Sequence, residues 1–199
     1  MKTVRKTLIL AACAIMLVCA TIAGTLAYLT ANDSVTNTFT VGNVNITLDE
    51  AKVNENGEPV TPAQRVDANT YKLLPGQTYT KDPIIHVSDT SEDCYVFVKV
   101  TNNISAVEAT GDNTIAKQLE KNGWNPVAAG SNVYYQENAV SANDNVNVFG
   151  SFTVSADADS VDLEGVDGKT IAVTAYAVQK ATFNTAVEAW NATFGAEQA

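Results

Sequence analysis

The chain has 199 residues, with 22 acidic against 12 basic side chains and a formal net charge of −10 at pH 7. That length accommodates one domain plus a targeting segment, and the acidic balance argues against nucleic acid or anionic lipid as partners. Of the three cysteines, Cys13 and Cys19 fall in an N-terminal apolar run, which leaves Cys94 alone and excludes an intrachain disulfide in the remainder.

Lys2, Arg5 and Lys6 precede an uncharged apolar run over 8–26. A basic region followed by such a run reads as a secretory signal peptide. The run ends in Thr25-Leu26-Ala27, with small residues at the −3 and −1 positions, so cleavage is expected between Ala27 and Tyr28. The run is also long enough for an uncleaved anchor. In both readings the basic residues stay inside and the domain is exported. Leu10-Ala11-Ala12-Cys13 has the local look of a lipidation box, but the apolar run continues past it, and Cys13 reads as filler. Removing 1–27 takes three basic and no acidic residues, so the exported part is more acidic still. No apolar tail follows Phe194, and no wall-sorting signal is expected.

Residues 32–37 are polar and irregular. Phe39 and Val41 then share one phase of a period-two alternation, and Val44, Ile46 and Leu48 share the opposite one. Alternation of this kind predicts a strand, and the slip at Gly42-Asn43 predicts a bulge or sharp bend. A loop is expected over 54–69 and a short strand over 71–73. Leu74-Pro75-Gly76-Gln77 fits a type II turn, with proline fixing φ and glycine supplying a positive one. Strands follow at 84–87 and 94–100, separated by a polar turn at 89–93. In the second, Cys94, Val96, Val98 and Val100 face one way and Tyr95 and Phe97 the other, as in a strand covered on both sides.

A short helix is expected over 112–122, with Ile115 and Leu119 on one face, an Asp or Asn cap and Gly123 as its stop. Strands at 124–127 and 133–136 should pair as a hairpin. Val146, Val148, Phe152 and Val154 predict one further strand. Residues 155–168 read as an acidic loop, and 171–178 as a second strand buried on both faces. Thr185 to Glu188 fits a capping box that opens a helix with Val187, Trp190 and Phe194 on its apolar stripe. The fold class expected is mainly β: an antiparallel jelly-roll β-sandwich with two short helices, preceded by an N-terminal signal helix. Three segments follow: 1–27 as signal peptide, 28–43 as a mobile N-terminal segment and candidate donor strand, and 44–199 as the sandwich.

Several stretches together resemble the TasA/camelysin family of exported proteins of Gram-positive bacteria. They are Gly24-Thr25-Leu26-Ala27-Tyr28-Leu29-Thr30 at the signal junction, Asn37-Thr38-Phe39-Thr40-Val41-Gly42-Asn43-Val44, Leu74-Pro75-Gly76 with Lys81-Asp82, Tyr95-Val96, and Tyr176-Ala177-Val178-Gln179 followed by Phe183 and Ala189-Trp190. The resemblance implies a SipW-type signal peptidase as processing partner and a jelly-roll domain secreted to the cell surface or extracellular matrix. Some members build biofilm matrix fibres, in which the freed N-terminal segment completes the sheet of the next subunit. One branch, camelysin, is described as a zinc-dependent endopeptidase.

The residues favour a structural role over that peptidase. Zinc sites are built from His and Cys with carboxylates completing the set. Here there is one histidine, His86, no H-E-x-x-H, and one cysteine outside the apolar run. No catalytic, cofactor or metal residues are therefore assigned, and no cofactor is expected. Asp157, Asp159, Asp162, Glu164 and Asp167 crowd one loop, but the order of an EF-hand fails, and a solvated acidic loop is the expectation. Cys94 reads as a small buried apolar residue rather than a reactive thiol. Strand addition needs an extended donor with a free end. Residues 28–41 meet that description once cleaved, with Val35, Phe39 and Val41 as anchors, and such a head-to-tail contact makes filaments. The alternatives are a donor segment that completes its own sheet, leaving a monomeric adhesin or ligand-binding module, and the camelysin-like metalloendopeptidase. Membrane contact is expected only through the signal segment before cleavage.

Overall fold

The longest alternating stretch in the chain becomes its central strand. The computed structural model describes residues 43–166 and 168–195. Within them, β5 (Cys94–Asn102) lies between β10 (Ile171–Gln179) and β7 (Val133–Gln136), and β6 (Trp124–Pro126) completes the order β10-β5-β7-β6. A second sheet has the order β2-β1-β4-β8, from β1 (Ile46–Ala51), β2 (Arg65–Val66), β4 (Ile84–Val87) and β8 (Asn145–Asn147). A ribbon pairs β3 (Thr78–Thr80) with β9 (Ser151–Thr153). Every pairing is antiparallel. Three α-helices accompany them: α1 (Ile115–Lys121), α2 (Ser160–Glu164) and α3 (Ala186–Thr193). The protein is thus mainly β with antiparallel sheets. The expected signal peptide, and Ala27, Tyr28, Val35, Phe39 and Val41, lie outside the described residues.

The two phases of β5 serve two cores. Cys94, Val96, Val98 and Val100 join Ile85 and Val87 of β4 in the larger one, with Val44, Ile46 and Leu48 packed against it. Tyr95 and Phe97 point the other way, into a smaller core with Val133, Val178, Ala186, Ala189 and Trp190. The helix α3 provides the cover on that side. Phe97 and Trp190 lie with ring centroids 5.1 Å apart, and Phe194 is 4.6 Å from Trp190. Burial of these large rings is the main stabilising contribution of the second core.

The expected hairpin forms, with Trp124 opposite Gln136. The turn at Leu74 also forms: Gly76 has φ +73° and Gln77 N–H donates to Leu74 O at 3.2 Å. In α1, Ile115 and Leu119 are buried and Gly123 leaves the helix at φ +80°. The cap is Thr114, however, not Asp or Asn.

Several further expectations need correction, among them the loop over 54–69, which contains β2. Residues 71–73 are not a strand. Tyr71 instead turns its ring edge-on to Tyr79 and Phe152, and Lys72 N–H donates to Glu55 O at 2.8 Å. The single strand over 146–154 is two, β8 and β9, belonging to different sheets. Gln118 of α1 causes the break by accepting from Gly150 N–H at 2.9 Å and donating to Ser151 O at 2.8 Å. The acidic loop contains α2, because Asp159 and Asp162 form a capping box with each other's backbone N–H groups. Among the described residues that makes three α-helices, where two were expected in the domain. Finally, β10 is covered on both faces only toward its end; Ala172 and Thr174 are exposed, since α3 reaches only the later residues. At Thr185 the box is incomplete: Thr185 accepts from Glu188 N–H at 3.2 Å, but Glu188 accepts from Asn184 N–H rather than from the cap.

Gly57 holds the ribbon against the preceding loop. Its φ is +79°, and a Cβ there would lie 2.7 Å from Tyr79 Cα. Gly57→Ala is expected to cost about 2 kcal/mol, from the left-handed backbone and the overlap together. A denaturant midpoint equal to wild type would refute that.

Candidate functional site

A groove of about 1190 Å³ opens between β1 and β10. Leu48, Asp49 and Glu50 line one wall and Ile171, Ala172 and Val173 the other. Among the described residues, each wall is a strand paired on only one side along this stretch. Among the described residues β10 pairs with β5 alone. The stretch of β1 from Ile46 to Asp49 pairs with β4, while β2 reaches only Glu50 and Ala51. Unpaired N–H and C=O groups along such strands favour addition of another strand. Between the walls, Tyr71, Leu73, Ile104, Phe152, Leu163 and Val166 supply apolar surface.

The inner end of the groove is charged. In β1 the phase that carries Val44, Ile46 and Leu48 inward next reaches Glu50, which is only 3% exposed. Its carboxylate accepts from Lys81 Nζ at 2.6 Å and from Asn69 Nδ2 at 2.9 Å. Asn69 also bridges two backbone groups, donating to Ala51 O at 2.8 Å and accepting from Val53 N–H at 2.9 Å. Tyr71 lies beside them and its hydroxyl donates to Thr80 O. Burial, then the Glu50 charge, raises the Tyr71 hydroxyl well above its ordinary value, so it stays a donor.

The opposite phase of β1 builds a second, more exposed network. Arg65 reaches Asp49 at 2.7 Å and Asp82 at 2.8 Å, and donates to the carbonyls of both residues. Asp82 in turn accepts from Ala51 N–H at 2.6 Å. His86 bonds Asp49 through Nε2 at 2.9 Å and Asn145 through Nδ1. Burial opposes the charge on Asp49, but the hydrogen bonds from His86 and Arg65 outweigh it and hold its carboxyl below the ordinary value. These bonds fix β2, β1, β4 and β8 in register.

His86 and Cys94 do not meet in one site. Cys94 sits in the larger core, fully buried, while His86 is partly exposed and bonded to Asp49 and Asn145. Among the described residues no three His, Cys, Asp or Glu side chains are placed to hold a metal ion. Asp159 and Asp162 of the acidic stretch are directed at their own backbone. Burial, with the charges of Asp93 and Asp144, pushes the Cys94 thiol up to about 11. Iodoacetamide at about pH 8 should therefore leave Cys94 unmodified in folded protein comprising 28–199, and alkylate it fully after denaturation. Equal rates in the two states would refute its burial.

Glu50, Asn69, Lys81 and Tyr71 were not singled out by sequence as a cluster. Lys81 stood out only beside Asp82 in the family-like stretch. Comparison with models of protein families, with curated proteins and with solved structures found no match to this chain.

Proposed function

We propose that this protein is a secreted structural subunit of the cell surface or biofilm matrix. On this reading its antiparallel sheets form a jelly roll, and a SipW-type peptidase cuts after Ala27. The segment 28–41 of one copy then adds as a strand in the groove of the next, with Val35, Phe39 and Val41 seated on its apolar surface. The observation that carries the reading is the pair of strands, β1 and β10, that border one groove with an apolar floor and, among the described residues, each pair on one side only along it. Main-chain bonding along such an edge supplies affinity, and alternate side chains supply fit. The contact is head-to-tail and does not close on itself, so it propagates as a filament. Each subunit both donates and accepts, which makes polymerisation depend on a free N-terminus.

Electron microscopy of purified protein comprising 28–199, beside a chain that starts at Gly42, tests the proposal. Fibres are expected from the first and none from the second. If the longer form stays monomeric at high concentration, the proposal fails.

A further inference from the structure

The two oxygens of the Glu50 carboxylate are engaged by two different nitrogens. Oε2 takes Lys81 Nζ at 2.6 Å, and Oε1 takes the side-chain amide nitrogen of Asn69 at 2.9 Å. A primary amine and a primary amide thus sit side by side on one carboxylate. The amide oxygen of Asn69 is held by Val53 N–H at 2.9 Å. Lys81 and Glu50 are both buried, with side-chain exposures of 11% and 4%. Phe152 and Tyr71 line the same cavity.

We propose that Lys81 and Asn69 are the two ends of an intramolecular amide crosslink, formed by the protein itself with Glu50 as proton carrier. The bond that forms joins Lys81 Nζ to Asn69 Cγ, and the bond that breaks is Asn69 Cγ–Nδ2. Glu50 Oε2 takes a proton from the Lys81 ammonium, leaving an amine with a free electron pair. Attack requires that amine to reach the near-attack range of about 3–3.5 Å from the amide carbon. As it attacks, negative charge develops on Oδ1, where the Val53 N–H already points. Glu50 Oε1 faces the leaving nitrogen and delivers a proton to it, while Nζ gives up its next proton to the carboxylate. Ammonium leaves, and Glu50 returns to a carboxylate. Nothing is oxidised or reduced, and no co-reactant is required.

Each group then has a separate role. Lys81 is the nucleophile, Asn69 the acyl donor, Glu50 the acid and base, and Val53 N–H the oxyanion donor. A purely structural use of the same contacts is the rival. In that case Asn69 merely ties Ala51 to Val53 across a bend, and Lys81 merely neutralises Glu50. The two differ in covalent mass, independently of whether the protein forms fibres.

The test is the intact mass of purified protein comprising 28–199, measured after full denaturation. The expected mass is about 17 Da below that of the sequence, the loss of one ammonia, a covalent change of the chain. Proteolysis should release a branched peptide that contains both Lys81 and Asn69. Lys81→Arg, Asn69→Ala and Glu50→Gln should each restore the mass expected for their sequence. The proposal is overturned if the wild-type chain has its full sequence mass with Lys81 in a linear peptide. It is equally overturned if the lost ammonia maps elsewhere, for example to Asn56 before Gly57.

Discussion

Replacing Trp190 by alanine should destabilise the protein by about 3–5 kcal/mol, the largest loss expected from any single truncation of the smaller core. Trp190 is 1% exposed and is the residue on which that core converges. Its ring lies against Phe97, Tyr176 and Phe194, at centroid distances of 5.1, 5.6 and 4.6 Å. Truncation opens a cavity between α3 and the sheet that neither element fills without moving. The expected readout is a fall in the urea midpoint with little change in slope. Trp190→Phe should be far milder, about 1 kcal/mol. The indole nitrogen has no hydrogen-bond partner among the described residues, so phenylalanine removes a group whose burial is itself unfavourable. Equal effects of the two substitutions would show that the indole nitrogen, not the ring's volume, governs the site.

Measured against wild-type chain in which the bond between Lys81 and Asn69 has not formed, a loss of about 3–5 kcal/mol is also expected for Lys81→Ala, by a different route. Alanine removes the ammonium from a carboxylate that is almost wholly buried, and leaves Glu50 with Asn69 as its partner. A carboxylate stranded in this way either stays charged at high cost or takes up a proton. Replacing both members, as Glu50→Gln with Lys81→Met, should recover much of the loss, because the pair's charges cost nearly as much to desolvate as they return by attraction. A double variant less stable than Lys81→Ala alone would contradict this account.

Much of the fold was legible in the sequence, and the reasons are local. The period-two pattern of β5 announced both cores, and the structure places its two phases in separate clusters. The ends of β4 and the hairpin β6–β7 followed from alternation and turn residues. Two of the misreadings arise from partners distant in sequence, whereas the missed α2 is a local capping box between Asp159 and Asp162. Nothing near Val148 signals that Gln118 will bind Gly150 and Ser151 and break the strand. Nothing near Tyr71 signals the rings of Tyr79 and Phe152. The charged cluster was different, because its signal was present. Glu50 continues the inward phase of Val44, Ile46 and Leu48, and Lys81 shares the phase of Ile85 and Val87. Two opposite charges on buried positions of neighbouring segments ask for each other. The groove itself was not legible, because a missing neighbour is a property of the assembled sheets rather than of any stretch of residues.

The pairing of β5 with β10 also sets the order in which the molecule can be made. Cys94 lies opposite Gln179 and Asn102 opposite Ile171. The central strand is therefore synthesised long before its main partner, and α3, which covers its second face, comes later still. During that interval Tyr95 and Phe97 have no cover on one side, and contacts this remote in sequence form slowly. A growing chain cannot close its principal sheet until Gln179 has been made. On the proposed secretory reading that delay is an advantage, since export machinery would receive the chain before it can fold.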